Sequence, residues 1–172
     1  MKVVERLHFH DVLARYHAEH GVDKPHEANT NDDGEMHLQR ADALLGSWKL
    51  VLLSPDEVRS VVLPWHLSEG GEIMLVPQSG LTVAQAAEAL RQTTGGYEQA
   101  SPVCWRKISR MRTAPMTPVF LSTAAIDAED YAGLKTRAGL IHLDGLHRLV
   151  SWELHGLLTD DTAVVAYLAD GA

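Results

Sequence analysis

"LIHLDGLHRLVSWELHG", residues 140–156, runs apolar as far as Asp144-Gly145 and then changes period. Leu140 to Leu143 read as the end of a strand. From Gly145 onward Leu146, Leu149, Val150, Leu154 and Leu157 recur at spacings of three and four, which places them on the burying face of a helix. A strand that passes into a helix across one glycine leaves unpaired N–H groups and the positive end of the helix dipole at the junction. These attract an anion, and Gly145 lets the main chain come close to it. His147 and Arg148 in the first turn complete a phosphate seat made of Asp144, Gly145, Leu146, His147 and Arg148. Asp144 has three readings: helix cap, orienting partner of His147 or Arg148, or ligand to Mg2+. His147, Ser151 and His155 follow one another at intervals of four, so Ser151 and His155 are expected to line an acceptor pocket beside the seat. The plainer alternative is an Asp-Gly turn whose arginine pairs with Glu153 or Asp160.

Working outward, residues 3–20 carry Val3, Leu7, Val12, Leu13 and Tyr16 near helical spacing and predict one amphipathic helix ending at Gly21. The polar stretch 21–35 with Pro25 and Gly34 predicts a long loop, and a short helix is expected over 36–45. WKLVLL, 48–53, reads as a strand. Ser54-Pro55-Asp56-Glu57 then opens a helix through a capping box and runs to about Val62. Further strands are expected at 72–76, 117–121, 139–143 and 162–168, with helices from Thr82 to Gly95 and over 145–157. This order predicts an α/β (α+β) fold with a mixed sheet and covering helices, divided into an N-terminal helical appendage, 1–47, and a main domain, 48–172.

Composition narrows the function classes. Of 172 residues, 45% are hydrophobic and 22% charged, enough for a buried core. No apolar run reaches the roughly 20 residues needed to span a bilayer, and the charged start MKVVERLHFHD does not read as a secretion signal. A cytoplasmic address is expected. The net charge of −8, from 15 basic and 23 acidic residues, argues against DNA as a partner. The densest basic run, Arg106-Lys107-Ile108-Ser109-Arg110-Met111-Arg112, is either a solvated strand or loop edge or a polyanion contact. The single cysteine, Cys104, excludes a multi-cysteine zinc site and reads as a buried small hydrophobe beside Trp105, with a reactive thiol as the alternative. Among the ten histidines, neither His8 with His10 nor His17 with His20 forms a sufficient ligand set.

The stretch from Thr117 to Leu168 resembles the ParB N-terminal and sulfiredoxin-like superfamily. Pro118-Val119, the strand Leu140–Leu143, Asp144-Gly145-Leu146-His147-Arg148, Gly156 and Val164-Val165 occupy that pattern in order, and WKLVLL with SPDEV fits its opening element. The resemblance implies that Asp144 to Arg148 cradle the phosphates of ATP, ADP or CTP, with Mg2+ and a small-molecule substrate as companions. Leu146 stands where sulfiredoxin-like enzymes carry their cysteine, which argues against sulfinic acid repair. His147-Arg148 stands in place of the Glu-Arg-Arg type of the partition proteins, which makes DNA partition a disfavoured expectation. The motif is closest to the free-serine kinases, which implies phosphoryl transfer to a hydroxylated metabolite such as a hydroxy amino acid, with Asp144 and His147 in the catalytic site. Glu69, in PWHLSEGGE, is the first candidate for general base, ahead of Glu57 and Glu72. Two alternatives stand beside this kinase: a nucleotide-gated binding or regulatory module, and a biosynthetic enzyme that reuses the anion site for an acidic metabolite. A homodimer is compatible with each.

Overall fold

The computed structural model describes residues 1–20, 31–67, 73–93 and 95–171. In chain order the elements are β1 (Lys2–Leu7), α1 (Phe9–Glu19), α2 (Asn31–Leu45), β2 (Trp48–Leu53), α3 (Pro55–Ser60), β3 (Val62–Leu63), β4 (His66–Leu67), β5 (Met74–Val76) and β6 (Leu81–Thr82). Then come α4 (Val83–Gln92), α5 (Gly96–Ala100), α6 (Pro102–Met111), β7 (Val119–Ala124), α7 (Glu129–Ala132), β8 (Ala138–Asp144), α8 (Leu146–Leu154) and β9 (Val164–Ala169). Seven strands form one mixed sheet in the order β1-β2-β9-β7-β8-β3-β6, and β4 pairs with β5 separately. The fold is mixed α/β, as the alternation of periods predicts.

Side chains alternate across the sheet, so each strand feeds two cores. Val51, Leu53, Val119, Leu121, Val164, Ala166 and Leu168 point into one cluster with residues of α3, α4, α5, α6 and α8. Trp48, Phe120, Ile141, Leu143, Tyr167 and Ala169 point into the other, with Val12, Tyr16, Leu38, Ala41 and Tyr131 from α1, α2 and α7. Helix α8 buries Leu146, Leu149, Val150 and Trp152. Each large apolar side chain buried this way contributes about 2 kcal/mol.

Two expectations are corrected. The single helix over 3–20 is a strand followed by a helix: Lys2 to Leu7 pair antiparallel with β2 at the sheet edge, and α1 begins only at Phe9. Two adjacent β-branched residues, Val3 and Val4, favour extended backbone at that edge and outweigh the apparent helical spacing. The division at residue 47 is also corrected, because β1 belongs to the main sheet and α1 and α2 cover one of its faces.

The caps form as their chemistry requires. Ser54 with Glu57, and Thr82 with Gln85, close reciprocal capping boxes at the starts of α3 and α4. Thr82→Ala is expected to lower stability by about 1 kcal/mol, with Thr82→Ser retaining most of it, measured by urea unfolding.

Candidate functional site

A cleft of about 650 Å³ opens where β8 passes into α8. Its lining includes Asp144, Gly145, Leu146, His147 and Arg148 together, along with Lys107 and Arg110 of α6, Glu19 and His20 at the end of α1, and Asp130 of α7. Gly145 has φ +106°, and a Cβ there would stand 2.7 Å from Val119 Cγ1 and 3.1 Å from the Arg148 guanidinium. The left-handed turn and the close approach of Arg148 therefore both require glycine.

Successive helical residues diverge by about 100°, and His147 and Arg148 take separate partners. Arg148 Nη2 donates to Asp144 Oδ2 at 2.6 Å, while Nη1 donates to Thr117 Oγ1 at 2.7 Å, to the Pro118 carbonyl and to Glu19 Oε2 at 3.1 Å. His20 Nε2 lies 3.3 Å from Asp144 Oδ2, its ring stacked on Tyr16 with centroids 4.1 Å apart. Burial works to raise the Asp144 carboxyl, but the His20 hydrogen bond and the Arg148 charge outweigh it and hold it far below the usual range. Burial alone lowers His20, and Asp144 reverses that to a net rise. Glu19 is raised by burial in spite of Arg148.

His147 faces the other way. Its Nε2 lies 3.5 Å from Cys104 Sγ, and His66 Nε2 lies 3.4 Å from the same sulfur. The two imidazoles meet edge to face, with centroids 5.1 Å apart. Burial, then Lys107, pushes His66 down to about 4, and burial, then His66 and Lys107, pushes His147 down as well. Both rings are neutral near pH 7. Deeper in the same wall His142 is buried, and neither of its ring nitrogens has a hydrogen-bond partner among the described residues. On the acidic side burial raises Asp130, and His37 beside it is lowered by burial.

The expected site residues divide accordingly. Asp144 to Arg148 share the cleft, but the convergence of His147 and Arg148 on one anion is corrected, because each is already engaged elsewhere. Asp144 is no helix cap: Gly145 holds that position without a side-chain bond. Asp144 also does not fit Mg2+ in this arrangement, since its Oδ2 is shared by a guanidinium and an imidazole. Ser151 and His155 are corrected as acceptor-pocket residues, because neither lines the cleft. Ser151 is buried and donates to the Ile108 carbonyl at 2.7 Å, tying α8 to α6, and His155 terminates α8 against the Ser151 carbonyl. Glu69 and Glu72 lie outside the described residues. Glu57 closes its capping box and pairs with the terminal amine. The basic run is helical, not a strand or loop: it lies mostly on α6, where Lys107 and Arg110 face the cleft and Arg106 a separate hollow. His20, His66, His142 and Asp130 escape sequence reasoning because no local spacing links them to the motif.

These features define a mixed α/β protein with a ligand-sized cleft, lined by apolar side chains and several charged ones, at the amino end of a helix that follows a sheet strand. The chain belongs to the Family of unknown function (DUF6309), whose family model matches residues 1–172. No curated protein matches it, and no solved structure matches it. No helix among the described residues is long and apolar enough to cross a membrane.

Proposed function

We propose that the protein is a small-molecule phosphotransferase that binds ATP or ADP in this cleft and phosphorylates a hydroxylated metabolite such as a hydroxy amino acid. One observation carries the reading. The whole segment Asp144–Arg148 lines a single cleft whose volume lies within the range of small-ligand sites, with Lys107 and Arg110 beside it. The N–H groups at the start of α8 and these cations neutralise phosphate oxygens, which is the larger part of what such a transfer needs. Asp33 on the cleft lining suits the ammonium group of an amino acid. Asp130, raised by burial, is the carboxylate assigned as base. It takes the acceptor hydroxyl proton while that oxygen attacks the terminal phosphorus, and the bond to the bridging oxygen breaks to leave the shortened nucleotide.

A second reading is favoured by the Arg148–Glu19 pair, which places a carboxylate of the chain itself on the guanidinium of the seat. An incoming phosphate competes with Glu19 and loosens α1, as a nucleotide-gated module requires. Thermal stabilisation and nucleotide turnover, followed with ATP, ADP or CTP and with or without hydroxy amino acids, separate the two. Turnover that requires an acceptor is expected for the kinase. Stabilisation without turnover moves the conclusion to the gated module, and no shift with any nucleotide overturns both.

A further inference from the structure

We propose that His66 Nε2, Cys104 Sγ and His147 Nε2 form a zinc site whose fourth position opens into the cleft. Three separate elements supply the ligands: β4, α6 and the first turn of α8. Their ligand atoms all lie within 4.8 Å of one another. The geometry is sharper than that limit. Zinc bonds of about 2.3 Å to sulfur and about 2.0 Å to nitrogen, set at the tetrahedral angle, separate the two ligand atoms by roughly 3.5 Å. The two N···S distances are 3.4 and 3.5 Å. Both N···S edges therefore match, and the remaining N···N edge lies within 4.8 Å.

The donor set also selects the ion. One thiolate with two neutral imidazoles suits a borderline-soft metal such as Zn2+ and not Mg2+ or Ca2+, which take oxygen ligands. Cys104 binds as the thiolate, and its proton passes to solvent. Cys104 is buried and both histidines line the cleft, which sets the ion at the cleft wall, with its fourth position assigned to the cleft. Three protein ligands and an accessible fourth position is the arrangement of catalytic rather than structural zinc. Zn2+ with one thiolate carries a net single positive charge, and Lys107 lies nearby. The fourth position accordingly favours an anionic oxygen, such as hydroxide, carboxylate or phosphate, over a neutral ligand. This site stands on its own geometry and does not depend on the phosphotransferase reading.

The competing account is that hydrogen bonds to sulfur alone hold the triad. Metal analysis separates the two without any nucleotide. Tag-free protein, stripped with a chelator and reloaded with Zn2+, is expected to take up one equivalent. Loaded with Co2+, it is expected to show a thiolate-to-metal charge-transfer band and the strong visible bands of tetrahedral cobalt. Cys104→Ser is expected to abolish the charge-transfer band and weaken zinc binding by about a hundredfold or more. His17→Ala and His155→Ala, which change histidines outside the triad, are expected to leave both readouts intact. Should a variant fail to fold, the wild-type cobalt spectrum still decides the matter. Wild-type protein that takes up no stoichiometric metal, or a Co2+ complex without the sulfur band, overturns the site.

Discussion

Replacing Arg148 with methionine is expected to lower the free energy of unfolding by about 3 kcal/mol, which for a chain of this size shifts Tm by roughly 10 °C. The guanidinium serves four acceptors on three parts of the chain: Asp144 at the end of β8, Glu19 at the end of α1, and Thr117 with Pro118 ahead of β7. Methionine keeps the stem but leaves Asp144, among the described residues, with the His20 contact at 3.3 Å and takes the guanidinium from Glu19. A largely buried carboxylate that loses its charge partner costs far more than an exposed pair. Arg148→Lys recovers only part, because one ammonium cannot reach four divergent acceptors. Glu19→Gln is expected to cost less, and the double variant Glu19→Gln/Arg148→Met should fall short of the sum of the two. Urea unfolding of the four proteins checks this. A loss under 1 kcal/mol for Arg148→Met would show that the network holds nothing together.

Acidification is the second large effect. His142 is buried, and its folded-state pKa is pushed down to about 3, chiefly by burial, with Asp144 opposing and His37, His66 and Arg148 adding to the fall. An unfolded histidine titrates near 6.5. Between these values the unfolded chain binds a proton that the folded chain refuses, so stability falls as pH falls. The slope from this residue is about 1.4 kcal/mol per pH unit, or about 3 kcal/mol between pH 6.5 and 4. The carboxyl of Asp144, depressed in the folded state, adds its own loss only below the ordinary carboxylate range, near pH 4. His142→Leu is expected to flatten the dependence between pH 6.5 and 4 by that amount. Unfolding curves at several pH values in EDTA measure it, and equal slopes for the two proteins would remove His142 as the source.

Much of the local architecture is legible in the residues. The capping box at Ser54, the strand WKLVLL and the start of a helix at Thr82 follow from near-neighbour chemistry and form as read, whereas α8 stops at Leu154 and buries Trp152 with Leu146, Leu149 and Val150, leaving Leu157 beyond its end. The first seven residues show where such reading fails. Val3, Leu7 and Val12 sit close to helical spacing, yet Lys2 to Leu7 become a strand because β2 offers an edge, 40 or more residues away, with which to pair.

For the site, the sequence alone determined the junction: an acid, a glycine, an imidazole and a guanidinium within five residues, set where a strand turns into a helix. That much is local, because helix polarity and glycine's freedom depend on neighbours a turn away at most. Only the tertiary structure decided what those side chains meet. Arg148 finds Glu19 across 129 positions, and His147 finds Cys104 across 43. Ser151 and His155 share the interval of four with His147 but turn to α6 and the helix end, because a four-residue step also carries them about 6 Å along the axis at each turn. Partners brought together by the packing of segments distant in the chain leave no periodic mark in it, and here they are the residues that set the charge and the chemistry of the cleft.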